Sequence, residues 1–186
     1  MDDPIRISRM LSFVKMSTIG TVKTIEGDLL AYGGSGTSAN AVLFQQCCCT
    51  STRTAGLSQA IAKKWPALNP YKKRKPIGRS YTATSETCAE PGTAELLISG
   101  DVNLVCLYAQ YAPGKPSAAE TAAMRLAYFK DALEEAITLI PEGSTLYFPY
   151  GIGCGLAGGK WEQYYAAIQV FARLHNSYSV VIVKLP

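Results

Sequence analysis

Apolar and polar positions alternate with period two from Gly20 to Glu26 (GTVKTIE), the pattern of a half-buried strand, and Ala41 to Cys49 (AVLFQQCCC) is an apolar run of buried-strand length. Leu57, Ile61 and Trp65 then recur at helical spacing, predicting a helix over Ser58 to Trp65 that Pro66 closes. Pro66 to Arg79 is rich in Pro, Lys and Asn and reads as an exposed loop. Tyr81 to Thr87 and Glu95 to Ser99 are short strand candidates, and Asn103 to Gln110 (NLVCLYAQ) is a second buried-strand run. Ser117 to Ile140 predicts a long amphipathic helix with Ala122, Leu126, Phe129, Leu133 and Ile137 on one side, and Ser117 with Glu120 has the spacing of a capping box. Thr145 to Pro149 is a strand. It runs into a glycine-rich stretch and a helix with Trp161, Tyr165, Ile168 and Phe171 inward, and Ser177 to Leu185 closes as a strand. Strands alternating with helices imply an α/β fold, a mixed, mostly parallel sheet covered on both faces.

The 186 residues suit one domain, 1–186, with 1–15 expected to be loosely packed, and 48% hydrophobic against 17% charged residues is a globular composition. The net charge of +4 owes most to Lys72, Lys73, Arg74, Lys75 and Arg79. Such a run reads first as a solvated loop. It can also attract phosphates or nucleic acid, but Tyr71 and Tyr81 are the only aromatics at hand for base stacking. No apolar stretch is long enough for a membrane span, and Met1-Asp2-Asp3-Pro4 has the wrong charge for a signal peptide, so a soluble cytoplasmic protein is expected. Cys47, Cys48, Cys49, Cys88, Cys106 and Cys154 suit buried free thiols better than disulfides. With no CxxC pair and one distant histidine, His175, neither a metal nor a cofactor is expected.

The sharpest chemical feature is Pro149 to Gly159 (PYGIGCGLAGG) between a strand and a helix, where glycines leave backbone N–H groups unshielded and able to cradle phosphate oxygens. It is not a P-loop, because Lys160 is followed by Trp161 and Cys154 stands where the first glycine belongs. Gly153-x-Gly155-x-x-Gly158 matches GxGxxG, but Tyr178 stands where a Rossmann site has its acidic residue. A second glycine-bearing turn, Thr50 to Leu57 (TSTRTAGL), leaves the Ala41 to Cys49 strand. Two such turns at strand ends can clamp a diphosphate. Glu26-Gly27-Asp28-Leu29 follows the first strand and offers a carboxylate to an amino group such as that of adenine.

These three elements, in this order, resemble the macro domain family, over residue 20 to the end. Tyr150 to Trp161 (YGIGCGLAGGKW) is the most specific part and resembles the viral and phage branch, related to members that process ADP-ribose 1″-phosphate or remove ADP-ribose from glutamate. The resemblance implies a three-layer α/β/α sandwich and a monomer that binds ADP-ribose or mono-ADP-ribosylated protein, in viral members to interfere with host signalling. It implies that Gly27 and Asp28 meet adenine with Leu29 supporting, and that Gly56, Leu57 and Ser58 line the proximal phosphate. Ile152, Gly153, Cys154, Gly155 and Leu156 would embrace the diphosphate and distal ribose, with Pro149, Tyr150 and Gly151 also among the binding residues. Cys48 and Thr50 would sit near that ribose, with Tyr150 and Gln110 or Tyr111 bordering its pocket.

The departures bear on activity. Cys47-Cys48-Cys49 replaces the asparagine of many hydrolysing members, Ala157 stands where the glutamate-specific branch has aspartate, and the branch's lysine has no counterpart on Leu104 to Gln110. A thiol nucleophile at Cys48 or Cys154 would need a base that the sequence does not show. Arg53 could stabilise charge developing on a substrate attacked by water. Two readings follow, a binder of ADP-ribose and, as the alternative, a hydrolase acting on ADP-ribosylated protein or ADP-ribose 1″-phosphate.

Overall fold

The computed structural model of the protein describes residues 20–34 and 40–186. The expectation of loose packing over 1–15 lies outside the described residues. Strands β1 (Val22–Glu26), β2 (Ala41–Cys48), β3 (Ala94–Ser99), β4 (Val102–Gln110), β5 (Thr145–Pro149) and β6 (Ser179–Lys184) form one sheet in the order β1-β6-β5-β2-β4-β3. Every pairing is parallel except β3 with β4, the short hairpin at one edge. The parallel strands therefore end on one common edge, where loops can assemble a site.

Helices α2 (Ala122–Ala136) and α3 (Trp161–Leu174) cover one face, where Phe44, Leu107, Phe148 and Ile182 meet Phe129, Leu133, Ile168 and Phe171. Helix α1 (Leu57–Lys64) covers the other, where Leu43, Leu104, Cys106 and Val181 meet Ile61, Leu68 and Tyr71. The result is a three-layer α/β/α sandwich. Its two-sided burial explains why β2 and β4 read as unbroken apolar runs. The six cysteines are free, with Cys47, Cys49 and Cys106 packed beneath α1. No helix among the described residues is long and apolar enough to cross a membrane.

Three local expectations are corrected. Tyr81 to Thr87 is no strand but a turn region carrying isolated bridges, Thr82 to Ser51 and Ala83 to Pro76. Helix α2 starts later than Ser117, capped by Thr121, whose hydroxyl accepts from the Met124 N–H at 3.2 Å. Ser117 does accept from the Glu120 N–H at 3.2 Å, but the Glu120 carboxylate is drawn away to Arg125, so the reciprocal half of a capping box is absent. In α3 the expected Ile168 and Phe171 are buried together with Tyr164 and Ala167, whereas Trp161 and Tyr165 are only half-buried, Trp161 lying tilted against both Tyr150 and Tyr165.

Candidate functional site

A cleft of about 350 Å3 opens at the common strand edge, between the turn leaving β2 and the glycine loop leaving β5. The β2 turn is held from behind. Arg74 Nη1 donates to the carbonyls of Cys48 and Ser51, both at 2.7 Å, and the Cys48 N–H donates to the Tyr71 hydroxyl at 3.2 Å. Gly56 takes a φ of +55° at the start of α1, a conformation that suits glycine. The Ser58 hydroxyl is engaged in the turn, donating to the Ala55 carbonyl at 2.9 Å and accepting the Ala55 N–H at 3.0 Å. As at any helix start, the first N–H groups of α1 have no partner within the helix.

The opposing loop folds on itself, with the Cys154 N–H donating to Gly151 and the Gly159 N–H to Gly153, both at 2.9 Å. The N–H groups of Gly153, Gly155 and Leu156 find no acceptor among the described residues. Gly153 has no alternative at its position. Its φ is +73°, and a Cβ there would lie 2.4 Å from Gln46 Oε1 and 2.5 Å from the Tyr164 ring. The two loops approach at the mouth, where a Cβ on Gly56 would stand 3.6 Å from Leu156 Cδ1.

The floor comes from strand ends. Gln46 and Gln110 face one another, Nε2 of the former donating to Oε1 of the latter at 3.2 Å, because β4 slips in register. From Gln46↔Leu107 to Cys48↔Gln110, β2 advances two residues and β4 three. The extra residue is a bulge that carries Gln110 to the side of Gln46. Gln46 Oε1 and the Tyr164 hydroxyl are both buried without a hydrogen-bond partner.

The cleft brings together Cys48, Gly56, Leu57, Ser58, Gln110, Pro149, Tyr150, Gly151, Ile152, Gly153, Gly155 and Leu156, as well as Arg53. Gly27, Asp28, Leu29, Thr50, Tyr111 and Cys154 are not in its lining. Asp28 is exposed at the end of β1 and accepts the Leu30 N–H at 2.9 Å, while Leu29 is core. The Thr50 hydroxyl and Cys48 thiol both turn to the Tyr111 carbonyl, at 3.0 and 3.2 Å. Arg53 Cζ lies over the Tyr81 ring, 3.1 Å from its centroid. Burial pushes the Cys154 thiol up to about 11 and that of Cys49 to about 12, so neither is a thiolate at neutral pH. His175 sits away from the cleft, 2.9 Å from Glu134. No group of three or more His, Cys, Asp or Glu is disposed to hold a metal among the described residues.

Gln46, Ser51, Tyr71, Pro113 and Gly114 also line the cleft and were not singled out from the sequence. Gln46 sits inside an apolar run, where a polar residue at a strand end is the available signal. Tyr71 belongs to a segment that reads as exposed and gives none.

No family profile and no curated protein matches the sequence. Solved structures do. A protein of unknown function from Bacteroides thetaiotaomicron is 22% identical with a TM-score of 0.65, covering 88% of this chain and 98% of that one. The macrodomain of Mycobacterium tuberculosis DarG is 18% identical with a TM-score of 0.63, covering 90% and 99%. The chain has the macrodomain fold. A point mutant of the Oceanobacillus iheyensis macrodomain, solved with ADPR, is 12% identical with a TM-score of 0.53 and covers 90% of this chain and 86% of that one. In this macrodomain fold the glycine loop after β5 and the turn after β2 are the two walls of the cleft.

Proposed function

We propose that the cleft binds ADP-ribose, free or attached to protein. The observation that carries this reading is the pair of glycine-bearing strand-to-helix turns meeting at Gly56 and Leu156, with unpaired N–H groups on the glycine loop. Converging N–H donors, backed by the positive end of α1, suit a diphosphate. The related fold solved with ADPR supports the same ligand class. In this reading Asp28, on the β1 side of the strand edge, takes the adenine amino group, and Leu29 holds that turn by its burial. The diphosphate lies between Gly56-Leu57-Ser58 and Gly153 to Leu156, and the distal ribose rests toward Cys48, Gln46 and Gln110.

A hydrolase is the second reading, and one observation favours it. Gln46 lines the cleft floor and its Oε1, buried beside Gly153, has no hydrogen-bond partner, so a turn of the amide would offer that acceptor to a water or a ribose hydroxyl. Water, rather than a thiol, is the nucleophile in this reading, since burial holds Cys154 protonated and the Cys48 thiol donates to the Tyr111 carbonyl. Calorimetric titration with ADP-ribose, with ADP as control and Asp28→Ala as variant, tests the binding. Binding that requires the distal ribose and weakens in Asp28→Ala supports the proposal, and no binding refutes it. Release of ADP-ribose from modified protein, lost in Gln46→Leu while binding persists, would establish the hydrolase.

A further inference from the structure

An apolar groove of about 430 Å3 lies between helices α2 and α3. Leu126, Leu133, Ala166, Ala167, Val170 and Phe171 line it, and Lys130, Asp131 and Glu134 are its charged members. Val170 is 47% exposed and Leu174, one turn further along α3, is 68% exposed, so the apolar stripe runs on past the groove to the end of the helix. Contiguous apolar surface rimmed by polar residues marks a place where something packs.

The chain arrives at this end of α3 from outside the described residues. Gly20, the first of them, sits against the last turn of the helix, where a Cβ would lie 1.8 Å from the Ala172 carbonyl oxygen and 3.3 Å from the Arg173 nitrogen, so the path past α3 is taken by a residue that can carry no side chain. Ahead of Gly20 the sequence carries Ile7, Met10, Leu11 and Val14, an i, i+3, i+4, i+7 set that gathers four apolar side chains on one helical face. Arg6, Ser8, Arg9, Ser12 and Lys15 fall off that face. The charges from Ile5 to Met16 are all positive, whereas the groove has two carboxylates to one ammonium.

We propose that residues 7–14 of this chain dock as an amphipathic helix in the groove, their apolar face against Leu126, Ala166 and Val170, so that the segment before β1 closes the seam between α2 and α3. The lengths agree. From 163 to 171 α3 advances about 12 Å, and residues 7–14 advance about 11 Å as a helix. Residues 16–19 reach up to about 13 Å when extended, about one helix diameter, which carries the chain from Gly20 over the last turn of α3 to the groove. Arg6 and Lys15, on the two flanks of the apolar face, then meet Asp131 and Glu134, the latter also 2.9 Å from His175. Docking of the segment replaces the loose packing expected over 1–15 and is independent of what the cleft binds.

The test keeps the full chain and compares Val170→Lys, Leu11→Lys and the double variant by thermal unfolding, lysine being as good a helix former as leucine and a better one than valine. Each single variant is expected to lower the melting temperature by about 5 °C, more than an isolated surface change produces, and the double variant by no more than either, because one contact is lost once. In the methyl-labelled wild type, NOEs are expected from Met10 and Leu11 to Val170 and Leu126, and those from Met10 should vanish in Leu11→Lys. An unchanged melting temperature in Leu11→Lys, additive losses in the double variant, or no NOE between segment and groove overturns the docking. A dimer in sedimentation velocity that Val170→Lys dissociates and Leu11→Lys leaves intact overturns it in favour of a second copy. If Leu11→Lys fails to fold, the wild-type NOEs decide.

Discussion

Arg125 and Glu120 form a buried ion pair, Nη2 to Oε2 at 2.7 Å, that ties the two far walls of the cleft together. Arg125 Nη1 also donates to the carbonyls of Gly114 and Ala157, at 2.6 and 2.9 Å, one on the segment after β4 and the other on the glycine loop. The Glu120 carboxylate accepts the N–H groups of Tyr111 and Ala112. Arg125→Met leaves Glu120 charged and buried without its partner, and a loss of about 3–5 kcal/mol is expected, read as a lower urea midpoint. Adding Glu120→Gln should restore part of that loss, because the stranded charge is gone. A double variant no more stable than the single one would mean that the carbonyl bonds, not the pair, carry the effect.

Gly153→Ala and Gly155→Ala separate folding from binding within one loop. A methyl group at Gly153 meets Gln46 and Tyr164 at a positive φ, so a stability loss of about 1–3 kcal/mol accompanies loss of ADP-ribose binding. At Gly155 nothing lies within 4 Å of the added carbon. Its melting temperature should stay within a degree or two, about what a change under 0.5 kcal/mol produces. Binding should still fall, since the residue lines the cleft. Unchanged binding in Gly155→Ala would remove that loop position from the ligand's path.

Arg74→Gln should cost about 2–3 kcal/mol, because two carbonyls at the turn after β2 lose a charged donor at 2.7 Å. Arg74→Lys cannot reproduce the planar fork and should recover little. Lys73→Gln, on an exposed neighbour, should change stability by less than about 0.5 kcal/mol. Equal urea midpoints for the Arg74 and Lys73 variants would show that the whole segment is mere surface.

Alkaline pH should destabilise the fold. Burial raises the Cys154 thiol from an ordinary 9.0 to about 11, Cys49 from 9.0 to about 12, and the Tyr164 phenol from 10.0 to about 12. Each holds its proton more tightly folded than unfolded, so its stabilising contribution is complete below the unfolded value and is lost as pH rises toward the folded one. The urea midpoint should be flat from pH 7 to about 8.5 and decline above pH 9. A midpoint rising through that window would contradict the sign of these shifts.

The layered fold was legible because buried strands and a glycine-interrupted helix start leave local marks, as in Ala41 to Cys49 and Tyr150 to Trp161. What was not legible depends on partners distant in the chain. Ser117 and Glu120 have capping-box spacing, but Arg125, five residues on, offers Glu120 a stronger bond. Arg74 reads as one of a run of solvated cations, and only the carbonyls of Cys48 and Ser51, 23 to 26 residues away, turn it inward. The inner stripe of α3 likewise keeps the expected Ile168 and Phe171 but takes in Tyr164 and Ala167, while Trp161 packs against Tyr150 at the end of the glycine loop.

The slip in β4 makes Gln110 a cleft residue by count alone. An uninterrupted strand would leave it on the side of Cys106 and Tyr108, under α1, where an amide has little company. Deleting Ala109 would take out the extra residue and keep Gln110 opposite Cys48, whereas a regular strand that retained Ala109 would turn Gln110 under α1. The cleft floor is thus encoded partly in the length of a strand, a property that substitution scanning cannot reach.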